Sequence, residues 1–158
     1  MKEMSRIVRT VTTLMYGFIL VYGFYVILHG HLTPGGGFQG GAIAASAFAL
    51  LLVSYGNQGI KSFIDQDVLS LFESLGLVLF ISFAFLGLGK TFFYNFLANS
   101  GGLFGNKSII GINPGDLNTG GTITAMNIAV GIEVLAGLGV IVLTMSAASY
   151  IIKGKESL

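Results

Sequence analysis

Apolar positions fall into four long runs, separated by connections rich in glycine or polar residues. A helix needs about 20 apolar residues to cross roughly 30 Å of hydrocarbon, and residues 7–28, 38–55, 68–88 and 123–150 come close to that length. They predict an all-α integral membrane protein with four transmembrane helices, one domain over residues 1–158. No Asp, Glu, Lys or Arg occurs from Thr10 to Ile60, so the first two runs and their connection form one uncharged hairpin. The second run is the shortest: either helical turns inside the preceding glycine-rich stretch extend it, or that stretch dips into the membrane.

The stretch is His29-Gly30-His31-Leu32-Thr33-Pro34-Gly35-Gly36-Gly37-Phe38-Gln39-Gly40-Gly41. Irregular backbone is tolerated at membrane depth only where protein buries it or where it lines a wet cavity. If the stretch enters the membrane, it therefore predicts a partner or a pathway. Gly36 with Gly40, and Gly37 with Gly41, have the small-xxx-small spacing that lets helices approach closely. Ala44, Ala45, Ser46 and Ala47 continue that smooth surface, and close helix packing is the favoured reading. A phosphate loop is rejected, because no Lys-Ser/Thr pair follows at the required spacing and no strand precedes the glycines.

Composition sharpens the membrane assignment. The chain is 53% hydrophobic and 9% charged, against about 25% charged in soluble domains. Net charge is +1 with no basic cluster beyond the first turns, so the electrostatic footprint expected for nucleic acid is missing. Without cysteine, the chain offers no disulfide, thiolate ligand or cysteine nucleophile. No small-residue cleavage site follows the first run, so it is expected to be retained as a span and not removed as a signal peptide.

Lys2, Arg6 and Arg9 precede the first span, Lys61 follows the second, and Lys153 and Lys155 follow the fourth; Lys90 and Lys107 lie on the other side. This asymmetry predicts a multi-pass protein of the cell membrane with both termini cytoplasmic. The connection over residues 89–122 is the longest. Phe92, Phe93, Tyr94 and Phe96 beside Lys90 read as an interfacial aromatic anchor, and Asn113-Pro114-Gly115-Asp116 reads as a turn. Asn106-Lys107-Ser108 fits the glycosylation pattern, a short and weak match.

Glu73 and Glu133 are the only acids inside the predicted spans. An ionised carboxylate there is expensive unless it is hydrated, paired or protonated, and proton or cation movement is one reason to keep it. Glu73, about two turns past Asp65 and Asp67, equally suits a favourable charge in the N-terminal part of a helix. Glu133 lies about three turns into its run, where the competing role is contact with a basic group on a partner subunit. His29 and His31 are of a residue type able to exchange protons, but marking the membrane surface is the favoured reading, and alone they are too few to complete a metal site. Lys90 either pairs with a neighbour's acid or, more simply, snorkels to the interface. No metal site, cofactor motif or nucleophile–base pairing is visible.

Pro34-Gly35, Gly40-Gly41, Ile43 and Ala45 recur at the same spacing as Pro114-Gly115, Gly120-Gly121, Ile123 and Ala125. Duplication of a two-helix hairpin and a chance match in a glycine-rich chain both explain this.

Two segments carry a family resemblance: Pro34-Gly35-Gly36-Gly37-Phe38-Gln39-Gly40-Gly41 with its Ala-rich continuation, and Gly120-Gly121-Thr122 onward to Asn127-Ile128-Ala129-Val130-Gly131-Ile132-Glu133. With them the chain resembles the MnhB/MrpB family, the B subunit of Mrp-type multisubunit sodium/proton antiporters. It is similar also to the version found in archaeal membrane-bound hydrogenase or sulfur reductase complexes. The resemblance implies a small noncatalytic subunit that works with the other subunits of a large complex, in contact with lipid and with Na+ and H+ as the exchanged ions. The competing class is a homo-oligomeric ion channel or small transporter.

Overall fold

The computed structural model describes residues 4–32, 34–60, 65–98, 100–101 and 120–155. The turn signal at 113–116, the glycosylation pattern at 106–108, and Lys2, Lys61 and Lys107 lie outside them. Among the described residues the fold has four helices: α1 (Arg6–His29), α2 (Gly36–Ile60), α3 (Gln66–Leu86) and α4 (Thr122–Lys155), with a 3₁₀ turn at Gly87–Gly89 closing α3. All four are long and apolar enough to cross a membrane. At 1.5 Å per residue the 24 residues of α1 reach about 36 Å, enough for the hydrocarbon and the start of the headgroup layer.

Local signals explain where helices begin. Ser5 caps α1, and Asp65 caps α3 by accepting from the Asp67 backbone N–H at 3.0 Å, satisfying one of the orphan donors of a first turn. The second span is not short after all, because α2 starts at Gly36 and takes Gly36–Gly41 into its first turns. Its regular part ends at Gly56, whose positive φ breaks the helix before Ile60.

α2 and α4 form the centre; α1 packs on α2 and α3 packs on α4, while α1 and α3 do not touch among the described residues. Small residues set these distances. A Cβ on Gly23 would stand 2.9 Å from the Ala44 nitrogen, and one on Gly40 would stand 2.7 Å from the Gly23 carbonyl oxygen, so α1 and α2 meet nearly backbone to backbone. Across α2 and α4, a Cβ on Gly41 would meet the Gly131 carbonyl at 2.8 Å. The buried core is accordingly rich in alanine, with Ala44, Ala45, Ala47, Ala84, Ala129 and Ala136 joined by Ile27, Leu52 and Ile60. Lipid is as apolar as leucine, so close van der Waals packing and interhelical hydrogen bonds carry association here. One such bond is fully buried: the Thr12 and Ser54 hydroxyls meet at 2.6 Å between α1 and α2. Between α1 and α3 an apolar cleft of about 450 Å³ opens over α4, lined by Phe24, Phe48, Leu69, Phe72 and Leu135.

Candidate functional site

The glycine motif converges on a residue that sequence reasoning did not single out, Asn127 of α4. Its amide nitrogen donates to the Ile27 carbonyl at the end of α1, and its carbonyl oxygen accepts from the Gly37 backbone N–H at the start of α2. One side chain thus ties three helices together and supplies an acceptor that the first turn of α2 otherwise lacks. A Cβ on Gly37 would run into the Asn127 carbonyl and stand 2.8 Å from the Gly131 nitrogen; one on Gly36 would stand 2.7 Å from the Asn127 side-chain oxygen. Gly36 also needs its positive φ of 69° to lead the chain into the helix. Around this junction Pro34 is exposed, the Gln39 side chain folds over Gly35, and Phe38 projects outward, 63% exposed. Phe38 also borders an open groove with Phe80, Phe93, Ile123 and Met126.

The entrance to α4 repeats the device with different residues. Gly121 takes a φ of 61°, and the Asn95 side-chain oxygen accepts from the Thr122 N–H and hydroxyl, both at 2.8 Å, while its nitrogen donates to the Gly120 carbonyl at 2.8 Å. Gly36 and Gly121 therefore occupy equivalent places. The sequence match instead pairs Gly41, inside α2, with Gly121, ahead of α4, so the repeat in the sequence and the likeness in the structure fall in different registers.

Glu73 and Glu133 share the seam between α3 and α4. A Cβ on Gly76 would stand 2.9 Å from the Glu133 Cβ, and one on Gly137 would stand 3.2 Å from the Glu73 Oε1. Each acid thus lies against a glycine of the opposite helix. Glu73 precedes Gly76 by three residues and Glu133 precedes Gly137 by four, which spaces the acids about one turn, about 5 Å, along the seam. Both are half-buried.

At the start of α4, the His31 ring lies beside Gly120 and Thr124. Both of its nitrogens and the Thr124 hydroxyl are buried without a hydrogen-bond partner among the described residues. His29 stacks on Tyr25 with ring centroids 4.2 Å apart. Lys90 stands apart from these groups; its ammonium donates to the Tyr94 hydroxyl at 3.1 Å and lies 4.8 Å from that ring's centroid, within a cluster of exposed aromatics. That arrangement suits a cation held at the membrane surface. No three His, Asp or Glu side chains gather among the described residues.

Four apolar spans and a glycine-packed centre define a polytopic α-helical membrane protein. The family model described as a domain related to the MnhB subunit of Na+/H+ antiporter matches residues 7–152, and the chain belongs to that family. An uncharacterized protein of Methanocaldococcus jannaschii is 34% identical over 96% of this chain and 56% of its own length. A Staphylococcus aureus protein named as antiporter subunit mnhB2 is 49% identical over 42% of this chain and 48% of its own. A chain in the structure of the membrane-bound sulfane sulfur reductase, an archaeal respiratory membrane complex, superposes with a TM-score of 0.70 at 31% identity, over 91% of this chain and 59% of that one. The chain spans about half the length of these relatives.

Proposed function

We propose that the chain is a noncatalytic membrane subunit of a multisubunit Na+/H+ antiporter module, one that helps hold the module together and supports cation or proton translocation, within an archaeal respiratory complex of the sulfur reductase or hydrogenase type. Family membership supports the class. The observation that carries the translocation role is the α3–α4 seam, where Glu73 and Glu133 lie about one turn apart against glycines. An ionised carboxylate at a helix centre costs about 2.5 kcal/mol or more even on insertion scales, so two acids on one seam call for a hydrated, paired or protonated environment. His31 and Thr124, with buried polar atoms unpartnered among the described residues, add an imidazole and a hydroxyl near the start of α4. Lys90 serves as an interfacial anchor in this reading.

Glu133→Gln keeps the shape and removes the ionisable group. In the assembled complex it is expected to lower sodium-dependent proton exchange at least several-fold while leaving the subunit composition intact. Wild-type exchange across a range of pH would reject the role of Glu133.

The same proposal places both termini on the cytoplasmic side, from the lysine and arginine asymmetry. Single cysteines at positions 2 and 155 should both react with a membrane-impermeant thiol reagent in inside-out vesicles and in neither case from the outside. Labelling from opposite faces would defeat the topology.

A further inference from the structure

We propose that the apolar cleft between α1 and α3 seats one acyl chain of a membrane lipid, with the lipid's ammonium headgroup at Asp65. The cleft holds about 450 Å³, with Leu135 and Ala136 of α4 beneath it and Phe24, Val68 and Phe72 along its sides. Those three side residues are exposed. One end is closed, because Ile27 lies against α4: a Cβ on Gly131 would stand 2.8 Å from the Ile27 Cγ2. Leu69 lies against Gly139, about 12 Å along α4 from Gly131. Asp65, one turn before Leu69, therefore marks the other end. Of the described residues that line the cleft, Asp65 is the charged one. It immediately precedes the α3 span, so this end opens at headgroup level.

That shape decides the occupant. A spanning helix about 10 Å wide and about 30 Å long takes up roughly 2,000 Å³, and the contact of Ile27 with Gly131 stands in its path. A single hydrocarbon chain entering from the headgroup layer meets neither limit. Surrounding lipid is as apolar as the cleft, so van der Waals contact holds the chain and selectivity falls to the head. Asp65 supplies that selectivity. One of its carboxylate oxygens accepts from the Asp67 backbone N–H at 3.0 Å as the helix cap, and the other is the acceptor offered to a lipid donor. Asp67 adds a second carboxylate in the same turn. A phosphatidylethanolamine head brings an ammonium with three N–H donors to this end, whereas phosphatidylglycerol brings net negative charge and no cation. The inference does not depend on ion exchange by the complex.

The full chain, purified in a neutral detergent and offered equal amounts of phosphatidylethanolamine and phosphatidylglycerol with identical acyl chains, should prefer the ethanolamine lipid about three-fold in native mass spectra, as expected of one exposed ion pair. Asp65→Asn keeps the cap, since asparagine caps a helix as well as aspartate does, and should bring the ratio close to one. Val68→Trp fills the cleft from its exposed side and should lower retention of the ethanolamine lipid to the level of Asp65→Asn. Phosphatidylethanolamine with a photoreactive group in mid-chain should crosslink wild-type chain at Phe24, Phe72 or Leu135, a readout that needs no variant to fold. Equal retention of the two lipids, a preference unchanged in Asp65→Asn, or crosslinks confined to segments outside the cleft would overturn the proposal. In the assembled complex, a photoreactive residue at position 72 that captures a neighbouring subunit or a second copy of this chain in place of lipid would overturn it as well.

Discussion

Gly37→Leu should nearly abolish recovery of assembled, exchange-active complex, and Gly37→Ala should already lower the unfolding midpoint of the purified chain. The reason is what the new carbon meets. A Cβ at Gly37 runs into the Asn127 carbonyl and approaches the Gly131 nitrogen, and both are backbone atoms of a packed helix that cannot swing aside as a side chain can. Overpacking of a well-fitted interior typically costs about 1–3 kcal/mol, and a clash with backbone belongs at the upper end or beyond. Gly41→Leu should behave similarly, since its Cβ would meet the Gly131 carbonyl and Val134. Gly17 provides the control, because a Cβ there meets nothing within 4 Å. Gly17→Leu should therefore leave assembly and exchange unchanged. Wild-type assembly in both the Gly37 and Gly41 leucine variants would contradict the packing account.

Asn127→Leu should be the most damaging near-isosteric change in α4. It removes the donor to the Ile27 carbonyl and the acceptor for the Gly37 N–H in one step. The two losses are unequal. The Ile27 carbonyl also accepts from the Gly30 N–H at 3.3 Å, whereas Gly37 lies in the first turn of α2, where no helical carbonyl is available. Interhelical hydrogen bonds within membranes average about 0.6 kcal/mol and reach about 1.7, and leaving a buried donor unpaired costs about 1–3 kcal/mol. A destabilisation of about 2 kcal/mol is expected, read as a lower unfolding midpoint in denaturing detergent. Amide hydrogen exchange should accelerate over Gly37–Gly41 and stay unchanged in α3. Unaltered exchange at Gly37 would show that the amide does not hold the junction.

The four spans were legible because a 20-residue apolar run has few alternative fates. The small-xxx-small spacing likewise marked the glycines as packing positions before their contacts were visible. Their main partner was not legible. Asn127 is a single amide in an apolar run, and nothing local ties it to a glycine 90 residues earlier. An uncompensated polar residue between Met126 and Ile128 was the available signal, since an amide in hydrocarbon needs a partner. Glu73 and Glu133 stood out as anomalies of charge, yet their meeting on one seam depends on the antiparallel register of α3 against α4, which Gly76 and Gly137 set from the middle of each helix. The starts of α2 and α4 share a left-handed glycine followed by a helix with a first-turn amide met by a distant asparagine, a likeness of geometry that falls in a different register from the aligned Pro-Gly letters, whose second copy at 114–115 lies outside the described residues.

The central claim, that this chain works as one subunit of an antiporter module, is tested most directly by purifying the tagged full chain from its native membranes in a mild detergent and identifying what accompanies it. The proposal predicts several hydrophobic membrane chains in fixed ratio, including large antiporter-like subunits, and no ion flux from the isolated chain in liposomes. A homo-oligomer of this chain alone that conducts sodium or protons in liposomes would contradict it.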